Sequence, residues 1–350
     1  MSGSTVDFRS DNTGAAAPEI LAALAAANHG TAAGYGGDPL TERLQERMGE
    51  LFEHKVHVFP VATGTAANAL ALAGVTPSWG SIYCSREAHI ETSECNAAGF
   101  MSGGAKLHLV AGEHGRIDPA ALEEALENAG KGQAHRSQPA ALNIVQATDR
   151  GAVYRLDEVR ELGAIARLHG LHMHMDGARF ANALAHLRCS PAELTWKAGV
   201  DILSFGATKN GGLTADAIVV FKEDLVEPLR YQIRRAGHVL SKMRFASAQL
   251  LAAIEGGLWL RLAGRANEAA ARLATGIEAL PGLRLAAPVE VNMLFVEAAP
   301  EVLDGLEAEE ILFFRRRRDL ARFVCRWDVA EEEVEALLAA LRRQIARRAA

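Results

Sequence analysis

The chain has 350 residues, 49% of them hydrophobic and 23% charged, a balance ordinary for a soluble globular protein and long enough for one large domain with a smaller one packed on it. A net charge of -6 argues against nucleic-acid or anionic-membrane partners, which need a basic face. No apolar stretch approaches the roughly 20 residues that cross a bilayer, and four scattered cysteines without a C-x-x-C pair or a leader upstream of Val6 read as reduced thiols of a cytoplasmic protein.

In chain order, Thr5 to Thr13 is a polar arm, and Pro18 starts a helix through about Asn28. Ala33 to Leu40 (A-G-Y-G-G-D-P-L) is a glycine-rich loop carrying Tyr35, with Asp38 and Pro39 placed to cap and open a helix to Phe52. Val56 to Val61 reads as a strand, followed by A-T-G-T-A-A-N-A-L-A-L from Ala62. Gly64 and Thr65 fall where that next helix begins, so outward N–H groups of Gly64, Thr65 and Ala66 could hold a phosphate. A Thr that merely caps the helix fits the same residues, and neither a Walker sequence nor G-x-G-x-x-G occurs.

Ser81 to Cys84 is a second strand, and His89 lies just past it, placed to stack on a planar ligand, to move protons, or simply to cap. Strand Lys106 to Val110, helix Pro119 to Ala129 and strand Ala141 to Ala147 continue the alternation, leaving Thr148 and Asp149 at another strand end. Helix Leu156 to His169 and strand Leu171 to Asp176 follow. Such alternation implies an α/β fold with a mainly parallel sheet, whose functional residues gather at the carboxyl ends of the strands.

On the strand L-H-M-H-M-D, His172, His174 and Asp176 share one face. They could form a metal site of the His-x-His-x-Asp kind, or Asp176 could hold a heterocyclic cation with Arg179 beyond it for a carboxylate. The preferred reading of the two histidines is plain core under a helix. Val200 to Phe205 is a buried strand ending at Gly206, and Lys209 follows it among Ala207, Thr208, Asn210, Gly211 and Gly212, which leave room for a bulky group at the amine. A desolvated lysine flanked by hydroxyls can form a Schiff base with an aldehyde, which a solvated loop lysine does poorly. On this segment alone both kinds of lysine stay open.

From Lys222 the pattern is helical to about Leu280; strands Leu283 to Leu285, Val291 to Val296 and Arg322 to Trp327 and a helix Glu331 to Ala346 form a compact α+β portion. The expected organisation is an arm, 1–14, a large domain, 15–245, and a small C-terminal domain, 246–350. The run Arg315 to Arg318 reads as a solvated face or a subunit contact.

These motifs together resemble the low-specificity L-threonine aldolase family of fold type I pyridoxal-phosphate enzymes. They run in order from F-R-S-D-N at Phe8 through A-G-Y-G-G-D-P at Ala33, T-G-T-A-A-N at Thr63, H-I at His89 and Q-A-T-D at Gln146. H-M-D-G-A-R-F-A-N-A at His174, S-F-G-A-T-K-N-G at Ser204, S-K-M-R-F at Ser241, N-M at Asn292 and R-F-V-C-R-W-D at Arg322 complete the series. The resemblance implies an aldehyde-lyase that cleaves a β-hydroxy-α-amino acid such as L-threonine, L-allo-threonine or L-phenylserine to glycine and an aldehyde. It implies pyridoxal 5'-phosphate as cofactor, no metal, and a homodimer or homotetramer with shared sites.

By the same resemblance Lys209 carries the cofactor, Asp176 pairs with its pyridine nitrogen, Gly64 and Thr65 hold its phosphate with help from Thr208, and His89 stacks on its ring. Ser10, Arg179 and Arg322 grip the substrate carboxylate, while Tyr35 and Lys242 serve a neighbour's site. His89 and His135 are the candidate bases for the β-hydroxyl, with Glu94 to orient His89. Asp149 stands where many relatives have a histidine, which makes it a further catalytic candidate. Another fold type I activity (β-eliminating lyase, dehydratase or racemase) is the nearest alternative, and a metal-dependent hydrolase using His172, His174 and Asp176 the more distant one.

Overall fold

Seven buried or half-buried strands form the larger of two sheets: β1 (His57–Val61), β2 (Gly80–Ser85), β3 (Lys106–Val110), β4 (Gln138–Val145), β5 (His172–Gly177), β6 (Ile202–Phe205) and β7 (Asp216–Val220), in the order β1-β7-β6-β5-β4-β2-β3. The computed structural model describes residues 6–349, so the first residues of the expected arm lie outside the described residues. Strands β2 to β6 pair in parallel, as the alternation predicts. Strand β7 does not; it is inserted antiparallel between β6 and β1, and it was not foreseen. Its sequence, D-A-I-V-V, carries the apolar β-branched run Ile218 to Val220 that suits a buried strand, but nothing local reveals its antiparallel place in the sheet. Being antiparallel, it brings its first residue, Asp216, to the edge where β1 and β6 end, opposite Val61.

Side chains alternate across this sheet and are covered on both faces. Tyr83, Leu142, Met173, Met175 and Leu203 pack on one side, and Ile82, Ala141, Val145, Ile202 and Ile218 on the other, beneath helix Gly64–Val75. Burying each such large aliphatic side chain contributes about 1.5–3 kcal/mol, so the register of every strand is strongly fixed. The helix starts follow the sequence signals: Pro39 opens Pro39–Leu51 with Asp38 accepting from Thr41 N, and Thr63 caps Gly64–Val75.

The second sheet is antiparallel: β8 (Arg284–Leu285), β9 (Met293–Glu297), β10 (Phe314–Arg317) and β11 (Leu320–Val324), in the order β10-β11-β9-β8. The run at Arg315 is thus partly an edge strand; Arg315 pairs with Asp304 and Glu307, and Arg317 with Glu297 and Asp319. Phe8 sits in this second core, with Phe8 N donating to Leu312 O (2.7 Å) and Val324 N to Phe8 O (2.8 Å), so the amino-terminal arm is tied to the carboxyl-terminal part. Ala246 to Ala263 pack in the core of the large sheet, and the second core takes over from Ala269. Among the described residues no helix is long and apolar enough to cross a membrane.

Candidate active site

The carboxyl ends of β1, β2, β4, β5 and β6 and the amino end of β7 surround a cavity of about 280 Å³, at the lower end of small-molecule sites. Lys209, Asp176, His89, Asp149, Arg179, Thr208, Gly64 and Thr65 all line it, joined by Asn12, Asn68, Glu94 and Asp216. Close approach of two strand ends makes this possible. A Cβ on Gly206 would fall 2.7 Å from Ala178 Cα, and one on Gly177 2.6 Å from Ser204 O, so only glycine lets the segments bearing Asp176 and Lys209 meet.

Burial lowers the pKa of the Lys209 amine, and the nearby Arg179 guanidinium lowers it further, against the pull of Asp11, Asp176 and Asp149. A lysine poised to lose its proton is what condensation with an aldehyde needs. Asp176, at the end of β5, is held by Ala178 N at Oδ1 (3.0 Å) and by Asn68 Nδ2 at Oδ2 (2.9 Å). The same Asn68 amide donates to Glu94 Oε1 (2.9 Å), which in turn meets His89 Nδ1 at 2.7 Å. That hydrogen bond to Glu94 raises the pKa of His89 despite burial. A single network therefore connects His89 to Asp176 through Glu94 and Asn68.

Asp149 Oδ2 is buried without a hydrogen-bond partner, and burial together with the neighbouring Asp176 raises its pKa. At the mouth of helix Gly64–Val75, Ala66 N is taken by Thr63 Oγ1 (3.1 Å), so the expected set of free phosphate donors shrinks to Gly64 and Thr65. Thr208 Oγ1, across the same corner, is buried and unpartnered. These orphaned polar atoms and free N–H groups fit a phosphate-bearing, planar group.

The arginines share their work differently from expectation. Arg179 is buried, and one edge of its guanidinium is already occupied by Asp11, Nε to Oδ2 at 2.7 Å and Nη2 to Oδ1 at 3.1 Å, with Asn292 Nδ2 also on Asp11 (3.2 Å). Arg322 is the less satisfied: its Nε is buried without a partner, and Nη2 makes a long bond to Arg9 O (3.3 Å). Burial, Arg179 and Arg316 bring its pKa down to about 10, a tension that an incoming carboxylate would relieve. Ser10 caps the short turn at Asp11–Thr13, accepting from Asn12 N.

Ser10 and Arg322 are not among the residues lining the cavity, and three other expected residues lie elsewhere. His135 is exposed and precedes β4, whose eight residues put it roughly 25 Å from the cavity end of the sheet, so within one chain it is not at the site. Tyr35 is exposed, stacks with Arg234 (5.2 Å), and lines a separate cleft with Met243 and Glu223, and Lys242 is exposed beside it. The metal reading of the β5 histidines fails on geometry. His174 is buried between Asn143 Nδ2 (2.8 Å) and Ser204 Oγ (2.9 Å), with its pKa lowered to about 4 by burial, while His172 leans on Asp201 (3.4 Å). Among the described residues no cluster of metal ligands occurs. Asn68, Asp11 and Asp216 were missed; only Asn68, on the first turns of the helix after T-G-T, carried a usable signal.

Comparison with known proteins agrees with this geometry. The beta-eliminating lyase family model matches residues 7–300. A low specificity L-threonine aldolase from Pseudomonas sp. (strain NCIMB 10558) is 42% identical, over 98% of this chain and 99% of that protein, and one from Pseudomonas aeruginosa is 43% identical, over 96% and 97%. A Leishmania major threonine aldolase structure superposes with a TM-score of 0.89 at 26% identity, over 96% of this chain and 98% of that one. The α/β architecture is that of fold type I enzymes. Matched by the family model over most of its length, and by those aldolases nearly from end to end, the chain belongs to the beta-eliminating lyase family, in its low-specificity L-threonine aldolase group.

Proposed function

We propose that this chain is a pyridoxal-phosphate-dependent aldehyde-lyase, cleaving L-threonine, L-allo-threonine or L-phenylserine type substrates to glycine and an aldehyde. The observation that carries the reading is the convergence of a desolvated Lys209 amine, a fixed Asp176 carboxylate and a carboxylate-linked His89 on one cavity, with an under-satisfied Arg322 electrostatically coupled to it. When bound, the cofactor supplies a pyridine ring that accepts the electron pair of a bond broken at the substrate Cα.

The residues supply the rest. Lys209 would hold the cofactor through its Nζ, and Asp176 would keep a proton at the pyridine nitrogen. Gly64 N, Thr65 N and Thr208 Oγ1 hold the phosphate. Arg322, with the free edge of Arg179 and with Ser10, fixes the substrate carboxylate and so selects which Cα bond is set for cleavage. His89 would stack on the ring and would take the β-hydroxyl proton at Nε2, the nitrogen that Glu94 leaves free. Asp149, buried with a raised pKa, is a second group able to hold or give a proton at the reacting end.

The test is the purified protein with added cofactor and L-threonine. A visible absorbance band that borohydride bleaches, and glycine with acetaldehyde as products, are expected, and Lys209→Ala should lose both. β-Elimination, dehydration and racemisation give no glycine, so its absence would overturn the aldolase reading.

A further inference from the structure

Asp216 stands in the wall where the phosphate is proposed to sit, and a carboxylate is an odd neighbour for a phosphate. It is buried, 5% exposed, and its Oδ1 accepts from Ala207 N (2.8 Å) and Thr208 N (3.1 Å), with the Thr208 hydroxyl close enough to bear on the same carboxyl. Those bonds pin the turn that carries Lys209. Oδ2 is the oxygen turned to the cavity: a Cβ on Gly64, the first residue of helix Gly64–Val75, would lie 3.9 Å from it, and Asp216 lines the cavity beside Gly64, Thr65 and Thr208.

We propose that Asp216 is a proton-linked partner of the cofactor phosphate, held as the neutral acid and donating its Oδ2–H to a phosphate oxygen. The proposal rests on the pyridoxal-phosphate reading above. The physical case is one of donor and acceptor. An ionised carboxylate has only acceptors to offer, and so has a phosphate dianion; side by side in a cavity they repel both as charges and as lone pairs. Protonation turns Oδ2 into a donor and removes the charge, while Oδ1 keeps its two backbone bonds. No covalent bond changes; one proton moves from solvent to Oδ2 as the phosphate binds.

The surroundings favour this. Burial raises the pKa of Asp216 even before any anion arrives, against the backbone bonds of Ala207 and Thr208, the Thr208 hydroxyl and Lys209, which lower it. Strand β1 offers it Val61, β6 offers Phe205 alongside, and helix Gly64–Val75 contains no charged residue. Lys209 is the cation on the adjoining turn, and the other charged groups of the cavity are Asp176, Asp149, Glu94, Arg179 and His89. An arriving phosphate raises the pKa of Asp216 further. Binding therefore takes up a proton at any pH between the free and bound values, and affinity falls by up to about tenfold per pH unit as pH rises through that window.

The experiment is calorimetric titration of the full chain, freed of cofactor, with pyridoxal phosphate and with pyridoxal, in buffers of different ionisation heat at about pH 8, where the phosphate, with a pKa near 6, is already a dianion. Both probes form the same link to Lys209, so their difference isolates the phosphate. Pyridoxal phosphate should take up to about one proton more than pyridoxal, and Asp216→Asn, which keeps a donor without a titration, should abolish the difference while binding with less dependence on pH. A merely structural role for Asp216 would lower thermal stability in the variant but leave the proton count alone. Phosphorus NMR of the wild-type holoenzyme needs no variant: a dianion signal at that pH together with the extra proton supports Asp216 as its holder, and a monoanion signal overturns it. Equal proton counts for the two probes in the wild type also overturn it. If the wild type binds neither probe and shows no borohydride-sensitive band, the cofactor reading itself fails and takes this one with it.

Discussion

Glu94 shows how one buried acid sets the chemistry of a neighbour. It has no exposed side-chain surface, receives His89 Nδ1 at 2.7 Å and Asn68 Nδ2 at 2.9 Å on the same oxygen, and keeps Oε2 unpartnered. Its bond to His89 raises that imidazole's pKa. If His89 works as a base it must be neutral, so activity is lost as pH falls through the raised value. Glu94→Gln removes the carboxylate charge, and the acid limb of kcat/KM should move to lower pH, towards the ordinary histidine value of about 6.5. An acid limb that stays in place in the variant would mean that another group, such as Asp149, sets it. Much of this site was legible at the residue level: Lys209, Asp176, His89 and Thr208 sit at strand ends with characteristic neighbours. Asp11 was not, because its value lies in the distant guanidinium it meets, and for Asn68 only its place after T-G-T was readable, not the two carboxylates it bridges. Arg179 was expected to take a substrate carboxylate, and the carboxylate it meets within the chain, Asp11, could not be seen from sequence.

At the scale of elements, the meeting of β5 and the turn after β6 decides whether the site exists. Gly177 and Gly206 let the two segments touch, and Gly206→Ala would press a methyl into Ala178 at 2.7–2.8 Å, against Cα and a carbonyl that have little freedom to move. Such overpacking costs about 1–3 kcal/mol. Thermal unfolding should show that loss, and cofactor affinity should fall as well, since the displaced turn is the one that Ala207 N and Thr208 N fasten to Asp216. Wild-type affinity with lowered stability would place the strain away from the Lys209 turn. The parallel strands and their capped helices were readable because β-branched runs, Pro at helix starts and side-chain caps are local signals. For β7 the run Ile218 to Val220 is a local signal too, but its antiparallel insertion between β6 and β1 is not local. In β10 a row of arginines on an exposed edge acquires strand character only from the neighbour it pairs with.

For the whole molecule, the displaced residues carry the argument. His135, Tyr35 and Lys242 are exposed and lie outside the cavity of their own chain, so any catalytic part they play must be at another chain's site. We propose a homodimer or homotetramer in which these residues complete a neighbouring site; exposed Tyr35 and Tyr231 border the same cleft, and apolar side chains left on a surface in this way suit a partner. Light scattering should then give a mass that is two or four times the 37.4 kDa of one chain. Subunit mixing separates assembly from site sharing. Lys209→Ala chains have no working site of their own but carry His135; His135→Ala chains have Lys209 but lack the imidazole. If His135 serves a neighbour, each preparation is weak alone, and chains exchanged between them regain activity because some sites receive Lys209 from one chain and His135 from the other. If mixed oligomers form and activity stays at the level of the separate preparations, His135 has no part in the reaction, and His89 with Asp149 must move the β-hydroxyl proton within a single chain.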